Sequence, residues 1–195
     1  MQTNEESYKE HLEEKYLPGR DKYLQWFFFP KLVKQFTDGN VLDLGFGTGG
    51  FLRFLKSKNK TFSGIDSNPF LVEQLAKQGF LVKLDDITKL DTVVGPVKNA
   101  ITDNVLEHLD LEQIDNVFSS LKQKMAKDGV LVVIVPLEKG YQRDPTHKTF
   151  VNKELIEQMC NKYQLKLQKR FFHPININGV GNWLYLNMQV YVITF

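Results

Sequence analysis

The residue types with the clearest chemical meaning lie in one short stretch, where an apolar segment that carries Asp43 runs into a glycine-rich turn and then into a helical pattern. The turn contains Gly45, Gly47, Thr48 and Gly49. A strand, a glycine turn and a helix in this order build nucleotide sites in open α/β sheets, because glycine lets the backbone approach the ligand closely. Asp66 ends the next apolar run, about 20 residues further on, where an acid commonly holds the hydroxyls of a ribose. Asp43 would repel a pyrophosphate and therefore indicates a cationic ligand.

S-adenosylmethionine, which carries a sulfonium and an ammonium, is such a ligand, and the surrounding segments resemble motifs of the class I S-adenosylmethionine-dependent methyltransferases. The segments occur in the order of that family. They are residues 41–49, 64–68, 84–90, 101–109 and 129–136. The resemblance covers residues 38–165 and implies methyl transfer with S-adenosyl-L-methionine as cofactor. It also implies a Rossmann-like, doubly wound α/β fold, with a seven-stranded, mostly parallel sheet whose last strand is antiparallel.

The same resemblance implies roles for individual residues. Asp66 would bind the ribose hydroxyls with Ser67 beside it, Asp86 would bind the adenine amino group, and Ile87 would stack on the adenine. The methionine portion would lie on the glycine turn, and Asn104 would lie beside the sulfonium and the methyl acceptor.

His108 and His147 are the candidate catalytic residues. Displacement on the sulfonium carbon needs little covalent help from the protein, and a base is required only if the acceptor begins as a protonated hydroxyl or amine. His147 belongs to the polar loop 140–150, which leaves the fifth predicted strand beside the crevice where open α/β sheets bind ligands. His108 could instead cap the turn before Asp110.

A metal-dependent alternative involves the same histidines. Glu107, His108 and His147 resemble the metal ligands of small-RNA 2′-O-methyltransferases, in which an acid three residues before the glutamate completes the set. Here that position is Asn104, a poor substitute for a carboxylate on a hard cation. We therefore expect no bound metal, and we keep metal-assisted ribose methylation of RNA as the alternative.

Composition and the remaining motifs favour a small-molecule acceptor. The net charge of +2 does not indicate the strongly basic surface that is typical of nucleic-acid-binding proteins. Residues 103–106 lack the Asn/Asp-Pro-Pro-aromatic motif of base-amine methyltransferases, whereas Asp144–His147 resembles loops in methyltransferases that act on small metabolites. We expect methylation of an oxygen or nitrogen on a small molecule. A non-catalytic cofactor-binding subunit is a second alternative, and the oligomeric state is left open.

One domain is expected overall, with a helical lid or packing segment at residues 1–36 and the methyltransferase domain at 37–195. As a lid, the first segment would pair Arg20 with the carboxylate of the cofactor. Cys160 lies on an apolar helix face, which indicates a buried, inert thiol. The polar N-terminus and the absence of an apolar run of about 20 residues predict a cytoplasmic protein without membrane contact.

The order of elements predicts a parallel sheet. Strands are expected at 80–84, 99–103, 130–135, 165–172 and 188–195, besides the two apolar runs that carry Asp43 and Asp66. Asp110 with Gln113 predicts a capping box at the start of a long helix, and Pro30 is expected to interrupt the N-terminal helix. The strand at 188–195 comes last. It has two apolar faces, so it should be central.

Overall fold

The computed structural model describes residues 20–177 and 187–195, and a single sheet organises them. Its strands are β1 (Val41–Leu44), β2 (Phe62–Asp66), β3 (Val82–Leu84), β4 (Val97–Asp103), β5 (Met125–Pro136), β6 (Lys166–His173) and β7 (Met188–Thr194). They follow the order β3-β2-β1-β4-β5-β7-β6. β7 is antiparallel to β5 and β6, and the other pairings are parallel. The predicted fold class is confirmed, including the antiparallel last strand.

Six helices flank the strands in the described part of the chain. The first, α1, comprises three consecutive segments: Arg20–Tyr23, a π-helical turn at Leu24–Phe28, and Phe29–Val33. The others are α2 (Gly50–Ser57), α3 (Pro69–Lys77), α4 (Leu111–Lys124), α5 (Glu138–Arg143) and α6 (Lys153–Tyr163), and a short 3-10 turn spans Leu106–His108. The capping box predicted between Asp110 and Gln113 is present at the start of α4.

The sheet is covered on both faces. On one face α1 and α2 pack against β1, β4, β5 and β7, and on the other face α4 and α6 pack against the same strands. Residues 130–135 of β5 are at most 5 % exposed, and alternate residues of this run belong to opposite cores. In β7, Val190 and Tyr191 point to opposite cores and both are fully buried. Two apolar faces therefore do mark the central strands here.

Helix α1 continues through Pro30, so the expectation that this proline interrupts it is wrong. The Phe29 N–H bonds to the Leu24 carbonyl, which closes the wider π-helical turn directly before the proline. Pro30 lies in the first turn of the α-helical segment Phe29–Val33, where its missing N–H is not needed and its fixed φ suits the helix. Phe28, Phe29 and Leu32 of this helix are buried against the sheet.

A buried amide ties the end of α1 to the sheet. Asn99 of β4 is fully buried, and its Oδ1 accepts hydrogen bonds from the Thr37 N–H at 2.9 Å and the Thr37 hydroxyl at 3.1 Å. Its Nδ2 donates to the Thr37 carbonyl at 3.0 Å. The carboxyl end of α1 is thus held near the amino ends of the parallel strands, and the first residues of α1 lie toward the carboxyl ends of these strands.

Several predicted boundaries move. β3 begins at Val82 and not at residue 80, because its pairing with β2 begins where Val82 lies opposite Gly64. β4 begins at Val97, and β5 begins at Met125 and includes Gly129. No helix among residues 20–177 and 187–195 is long and apolar enough to span a bilayer.

Candidate functional site

The glycine turn between β1 and α2 has the geometry that a close backbone approach requires. Gly45, Gly47 and Gly49 all have positive φ, at +76°, +54° and +78°. A Cβ on Gly45 would lie 2.8 Å from a methyl carbon of Val105, so the position has no room for a side chain. Left-handed backbone and close packing both exclude larger residues, and the turn therefore presents bare backbone at the carboxyl edge of the sheet.

Asp66 is oriented toward this turn by two backbone amides. Its Oδ2 accepts from the Gly47 N–H at 2.9 Å and its Oδ1 accepts from the Asn68 N–H at 2.9 Å. The side chain is 7 % exposed, and burial raises its pKa although these hydrogen bonds act in the opposite direction. A carboxylate held in this way is a preorganised acceptor for ligand hydroxyls.

Replacing Asp66 with alanine should weaken binding of S-adenosylmethionine by about 1–3 kcal/mol, because the two charge-assisted hydrogen bonds that Asp66 would make to the ribose are removed. Calorimetric titration of the variant measures the change. Asp38→Ala, which removes an exposed acid, is the control and should bind as the parent does. Equal affinities of the Asp66 and Asp38 variants would contradict the ribose contact.

Asp43 lies between two further carboxylates. It is 3 % exposed, and burial, followed by the charges of Asp103 and Asp66, raises its pKa well above the usual value for aspartate. Because the ionised form is disfavoured, the folded protein without ligand holds a proton on Asp43 more tightly than the unfolded chain does. The sulfonium and ammonium of the cofactor would reverse this preference by stabilising the ionised form.

Asp43 should therefore reduce stability as pH rises. Below the ordinary aspartate pKa, Asp43 is protonated in both the folded and the unfolded protein and does not change the free energy of unfolding. As pH rises from there through the raised folded pKa, Asp43 lowers the free energy of unfolding. Asp43→Asn should have a higher melting temperature than the parent above the raised folded pKa, and the same melting temperature below the ordinary aspartate pKa. The variant should also bind S-adenosylmethionine less tightly. Melting curves across pH measure this, with Asp38→Asn as an exposed control. A parallel pH dependence of Asp43→Asn and parent would refute the assignment.

The two acids after β3 have different environments. Asp85 is buried, and its carboxylate accepts from the Asp86 N–H and from the N–H and hydroxyl of Thr92, at 2.7–2.8 Å. Asp86 is exposed, and its Oδ1 accepts from the N–H and hydroxyl of Thr88. Ile87 is 7 % exposed and packs into the core under α4. The pair thus divides into a buried acid that shapes the turn and an exposed acid at its surface.

Asn104 marks the end of β4 with a left-handed backbone, at φ +54°. Its N–H donates to the Ile134 carbonyl at 3.0 Å, and its Nδ2 donates to Asp103 Oδ1 at 2.7 Å and lies 3.8 Å from the sulfur of Met188. Thr48 is half-buried in the glycine turn and Ser67 is exposed after β2. The side chain of Arg20 lies outside the described residues, as do Trp183 and Tyr185.

The two candidate histidines, 39 positions apart in the sequence, meet beside the end of β4. The N–H groups of Lys148 and Thr149 donate to the Glu107 carbonyl at 2.8 and 3.2 Å, which straps the loop after α5 onto the 3-10 turn. The rings of His108 and His147 then lie 4.8 Å apart. Possible ligand atoms of Glu107, His108 and His147 lie within 4.8 Å of one another. Glu107 is buried, and its Oε1 lies 4.0 Å from His147 Nε2.

Hydrogen-bond partners indicate which nitrogen carries the proton in each neutral ring. His147 Nδ1 lies 2.8 Å from the Tyr141 carbonyl, which can only accept, so Nδ1 is the donor. The single proton of the Thr146 hydroxyl goes to Asp144 Oδ1 at 2.6 Å, so His108 Nδ1, at 3.1 Å from the same oxygen, must also donate. Both Nε2 atoms are therefore lone-pair acceptors, suited to take a proton or to bind a metal.

The sequence analysis did not predict two pairs of residues that contact each other at this end of the sheet, Asp144 with Thr146 and His173 with Tyr23. The Asp144–Thr146 contact had a local signal, because an aspartate commonly accepts from the residue two positions later in a turn. His173, in contrast, had no local signal. It bonds to Tyr23, 150 positions away, through an Nε2–Oη distance of 2.9 Å.

Comparison with known proteins agrees with this geometry. A family model described as a methyltransferase domain matches residues 8–170, which is most of the chain. No curated protein matches the sequence. A SAM-dependent methyltransferase from Archaeoglobus fulgidus superposes with a TM-score of 0.75 at 19 % identity, covering 95 % of this chain and 99 % of its own.

Two further solved structures share the fold. A TehB-like SAM-dependent methyltransferase from Corynebacterium glutamicum superposes with a TM-score of 0.71 at 16 % identity, covering 97 % of this chain and 99 % of its own. A glycopeptide N-methyltransferase in complex with SAM superposes with a TM-score of 0.64 at 8 % identity, covering 85 % of this chain and 84 % of its own. The chain belongs to the methyltransferase-domain family and is a class I S-adenosylmethionine-dependent methyltransferase.

Proposed function

We propose that the protein methylates an oxygen or nitrogen of a small molecule that lies between Asn104 and the His108–His147 pair. The observation that carries the proposal is the convergence of two imidazoles, each with a hydrogen-bond contact at Nδ1 that directs Nε2 elsewhere, at the end of the strand whose next residue is Asn104. A base in this position could remove the proton of an acceptor hydroxyl or amine. No further chemical group is needed from the protein, because the cofactor itself supplies the reactive methyl group.

The proposed reaction is a single displacement. His147 Nε2, or His108 Nε2, takes the proton of the acceptor hydroxyl or amine, and the acceptor atom attacks the methyl carbon. The cofactor would supply the methyl group, and the electron pair of the broken carbon–sulfur bond would go to sulfur, so that S-adenosylhomocysteine and a protonated histidine would remain. Asp144 Oδ2 lies 3.7 Å from His147 Nε2, and its charge would stabilise that imidazolium.

The cofactor roles proposed from sequence fit the edge of the sheet on which these residues lie. Asp43 and the glycine turn would take the methionine portion, and Asp66 with Ser67 would take the ribose. Asp86 and Ile87 would contact the adenine; the exposed position of the Asp86 carboxylate supports a ligand contact there.

We also propose that residues 1–36 order over the bound cofactor, with Arg20 pairing with its carboxylate. Trp26 is 76 % exposed, so an aromatic surface is available at the start of this helix. Amide hydrogen exchange at residues 20–30 should slow when S-adenosylhomocysteine binds, because closing a lid reduces local opening. Exchange at α4, on the other face, is the internal control. Unchanged protection of residues 20–30 would leave this helix with a packing role alone.

Metal-assisted ribose methylation is the second candidate, and the clustering of Glu107, His108 and His147 favours it specifically. These three would hold a divalent cation through a carboxylate oxygen and two nitrogens, and the cation would polarise an acceptor hydroxyl. Asn104 argues against a hard cation, because its Nδ2 faces Asp103 and an amide offers no negative charge.

One assay separates these candidates. The protein is incubated with methyl-labelled S-adenosylmethionine and a panel of phenols, amines, hydroxy acids and short RNAs, with and without a chelator. Transfer to a small molecule that survives chelation supports the proposal. Transfer to RNA that chelation abolishes and manganese restores would replace it with the metal-dependent function. Cofactor binding without transfer to any acceptor would support a non-catalytic subunit.

A further inference from the structure

A second histidine site lies at the same edge of the sheet, on the face covered by α1. His173 ends β6, is 1 % exposed, and stacks on Phe28 with ring centroids 4.1 Å apart. Its Nε2 lies 2.9 Å from the Tyr23 hydroxyl oxygen. Its Nδ1 is buried and has no hydrogen-bond partner among residues 20–177 and 187–195. Apolar packing alone does not account for a buried histidine with one unsatisfied nitrogen, since phenylalanine would stack as well without that cost.

The position of this pair relates it to the acceptor side of the site. His173 is in register with Met188 of β7, and the Met188 sulfur lies 3.8 Å from Asn104 Nδ2. Leu24 and Met188 both pack on the core beneath α1. From β4 to β6 there are three strand spacings, roughly 14 Å at about 4.8 Å each, a span that suits a small organic molecule. His173, which contacts Tyr23, and Asn104 thus lie at two ends of one row across the strands.

The hydrogen bond between the pair has a preferred direction. If Tyr23 donated to Nε2, the ring proton would lie on the buried Nδ1 without an acceptor. With the proton on Nε2, His173 donates to the Tyr23 oxygen, and the buried Nδ1 carries only a lone pair. Buried N–H groups without acceptors are rarer than under-used acceptors, so the second arrangement is favoured. The phenolic proton of Tyr23 then points away from His173.

The charge state of both groups agrees with this arrangement. Burial, and then the charge of Lys31, lower the pKa of His173 to about 4, so the ring is neutral near pH 7. Burial raises the pKa of Tyr23, so its hydroxyl keeps its proton. Tyr23 is 38 % exposed and can therefore reach a ligand. The positive charge of Lys31 acts on His173, the partner of Tyr23, and an O–H donor in such surroundings favours an anionic oxygen.

We propose that Tyr23 is an acceptor-binding residue whose hydroxyl, turned outward by His173, donates a hydrogen bond to a carboxylate of the methyl acceptor. His173 is the positioning residue that sets this direction. The proposal rests on the proposed small-molecule methyl transfer and adds that the acceptor carries a carboxylate at the end remote from the methylated atom.

The test uses a matched pair of probes, 3-(4-hydroxyphenyl)propanoate and 3-(4-hydroxyphenyl)propanamide, titrated by ligand-observed NMR onto protein saturated with S-adenosylhomocysteine. The parent should bind the carboxylate about tenfold more tightly than the amide, because a hydrogen bond to a charged group is the stronger kind. Tyr23→Phe and His173→Phe should each remove this preference. Because the two residues act as one unit, the double variant should lose no more than either single variant.

Controls separate this role from a structural one. His173→Phe keeps the stacking on Phe28 and removes the unsatisfied nitrogen, so it should melt at or above the parent temperature while losing the preference for the carboxylate. Tyr163→Phe removes a hydroxyl that donates to the Asp115 carbonyl between α4 and α6, and it should keep the preference. All variants should bind S-adenosylhomocysteine as the parent does.

Each remaining outcome has a defined meaning. Equal binding of the two probes by the parent, including no binding of either, overturns the inference. A preference that persists in Tyr23→Phe, or that disappears also in Tyr163→Phe, overturns it as well. Failure of the parent to bind S-adenosylhomocysteine would instead contradict the cofactor site, which is a separate result.

Discussion

Deleting residues 188–195 should abolish cooperative unfolding, because β7 is the only neighbour that β5 and β6 share in the described sheet. Without it, β5 would lose seven register pairs and expose two apolar faces, and β6 would have no partner strand. The loss affects both cores at once, since alternate residues of β7 pack on opposite faces. Thermal melting followed by circular dichroism, together with binding of a hydrophobic dye, measures the outcome.

Single substitutions provide a matched comparison for the deletion. Val190 is fully buried at the centre of β7, and Val190→Asp should cost more than about 4 kcal/mol, because it places an unpaired charge in the core. Thr194 is half-buried at the end of the strand, and Thr194→Asp should retain a cooperative transition. A deletion variant that melts cooperatively near the parent temperature would contradict the central role of β7.

The second large effect should come from His147. His147→Ala should lower kcat by about 10²–10⁴-fold, the range that a positioned general base contributes, while the affinity for S-adenosylhomocysteine stays within about twofold. Backbone hydrogen bonds hold the loop that carries His147 to Glu107, on the side proposed for the acceptor, so we expect the cofactor contacts not to depend on this ring. Single-turnover rates and calorimetric titration give the two quantities separately.

Asp144→Asn is a sharper version of the same test. Its Oδ1 could still accept from Thr146, but an amide nitrogen would replace Oδ2, which lies 3.7 Å from His147 Nε2. That N–H would donate to the Nε2 lone pair and block proton uptake, so kcat should fall although the side chain keeps its shape. Gln142→Ala, on the exposed side of α5, is the control. Parent-like turnover in both His147→Ala and Asp144→Asn would rule out His147 as the base.

The fold could be predicted where the pattern of apolar or capping residues lies within a single strand or helix. Apolar residues on both faces of 188–195 predicted a central strand, and Asp110 with Gln113 predicted the start of α4. The start of β5 was not predictable in this way. The strand begins at Met125 because Met125 pairs with Val97, and a register shift then accommodates the residues around Gly129.

The candidate site was predictable only in its local parts. The sequence places His108 and His147 in separate loops, and their meeting depends on two backbone hydrogen bonds to the Glu107 carbonyl. The sequence also cannot show which of two adjacent acids is buried, and here it is Asp85. His173 and Tyr23 lie at opposite ends of the described chain, so no spacing rule connects them; the path of α1 across the sheet does.

The place of β7 also constrains biosynthesis. During translation the residues of β5 and β6 are synthesised before residues 188–194, so the place of β7 between these two strands is empty until the last residues are made. Residues 130–136 of β5, which pair with β7 in the folded protein, then present an apolar, unpaired edge to the surrounding solution. Such edges pair readily with other chains, which makes this interval the time of greatest exposure to aggregation and to chaperone binding. A ribosome-bound chain that ends before residue 188 should therefore be sensitive to protease, and protection should begin only after β7 has emerged.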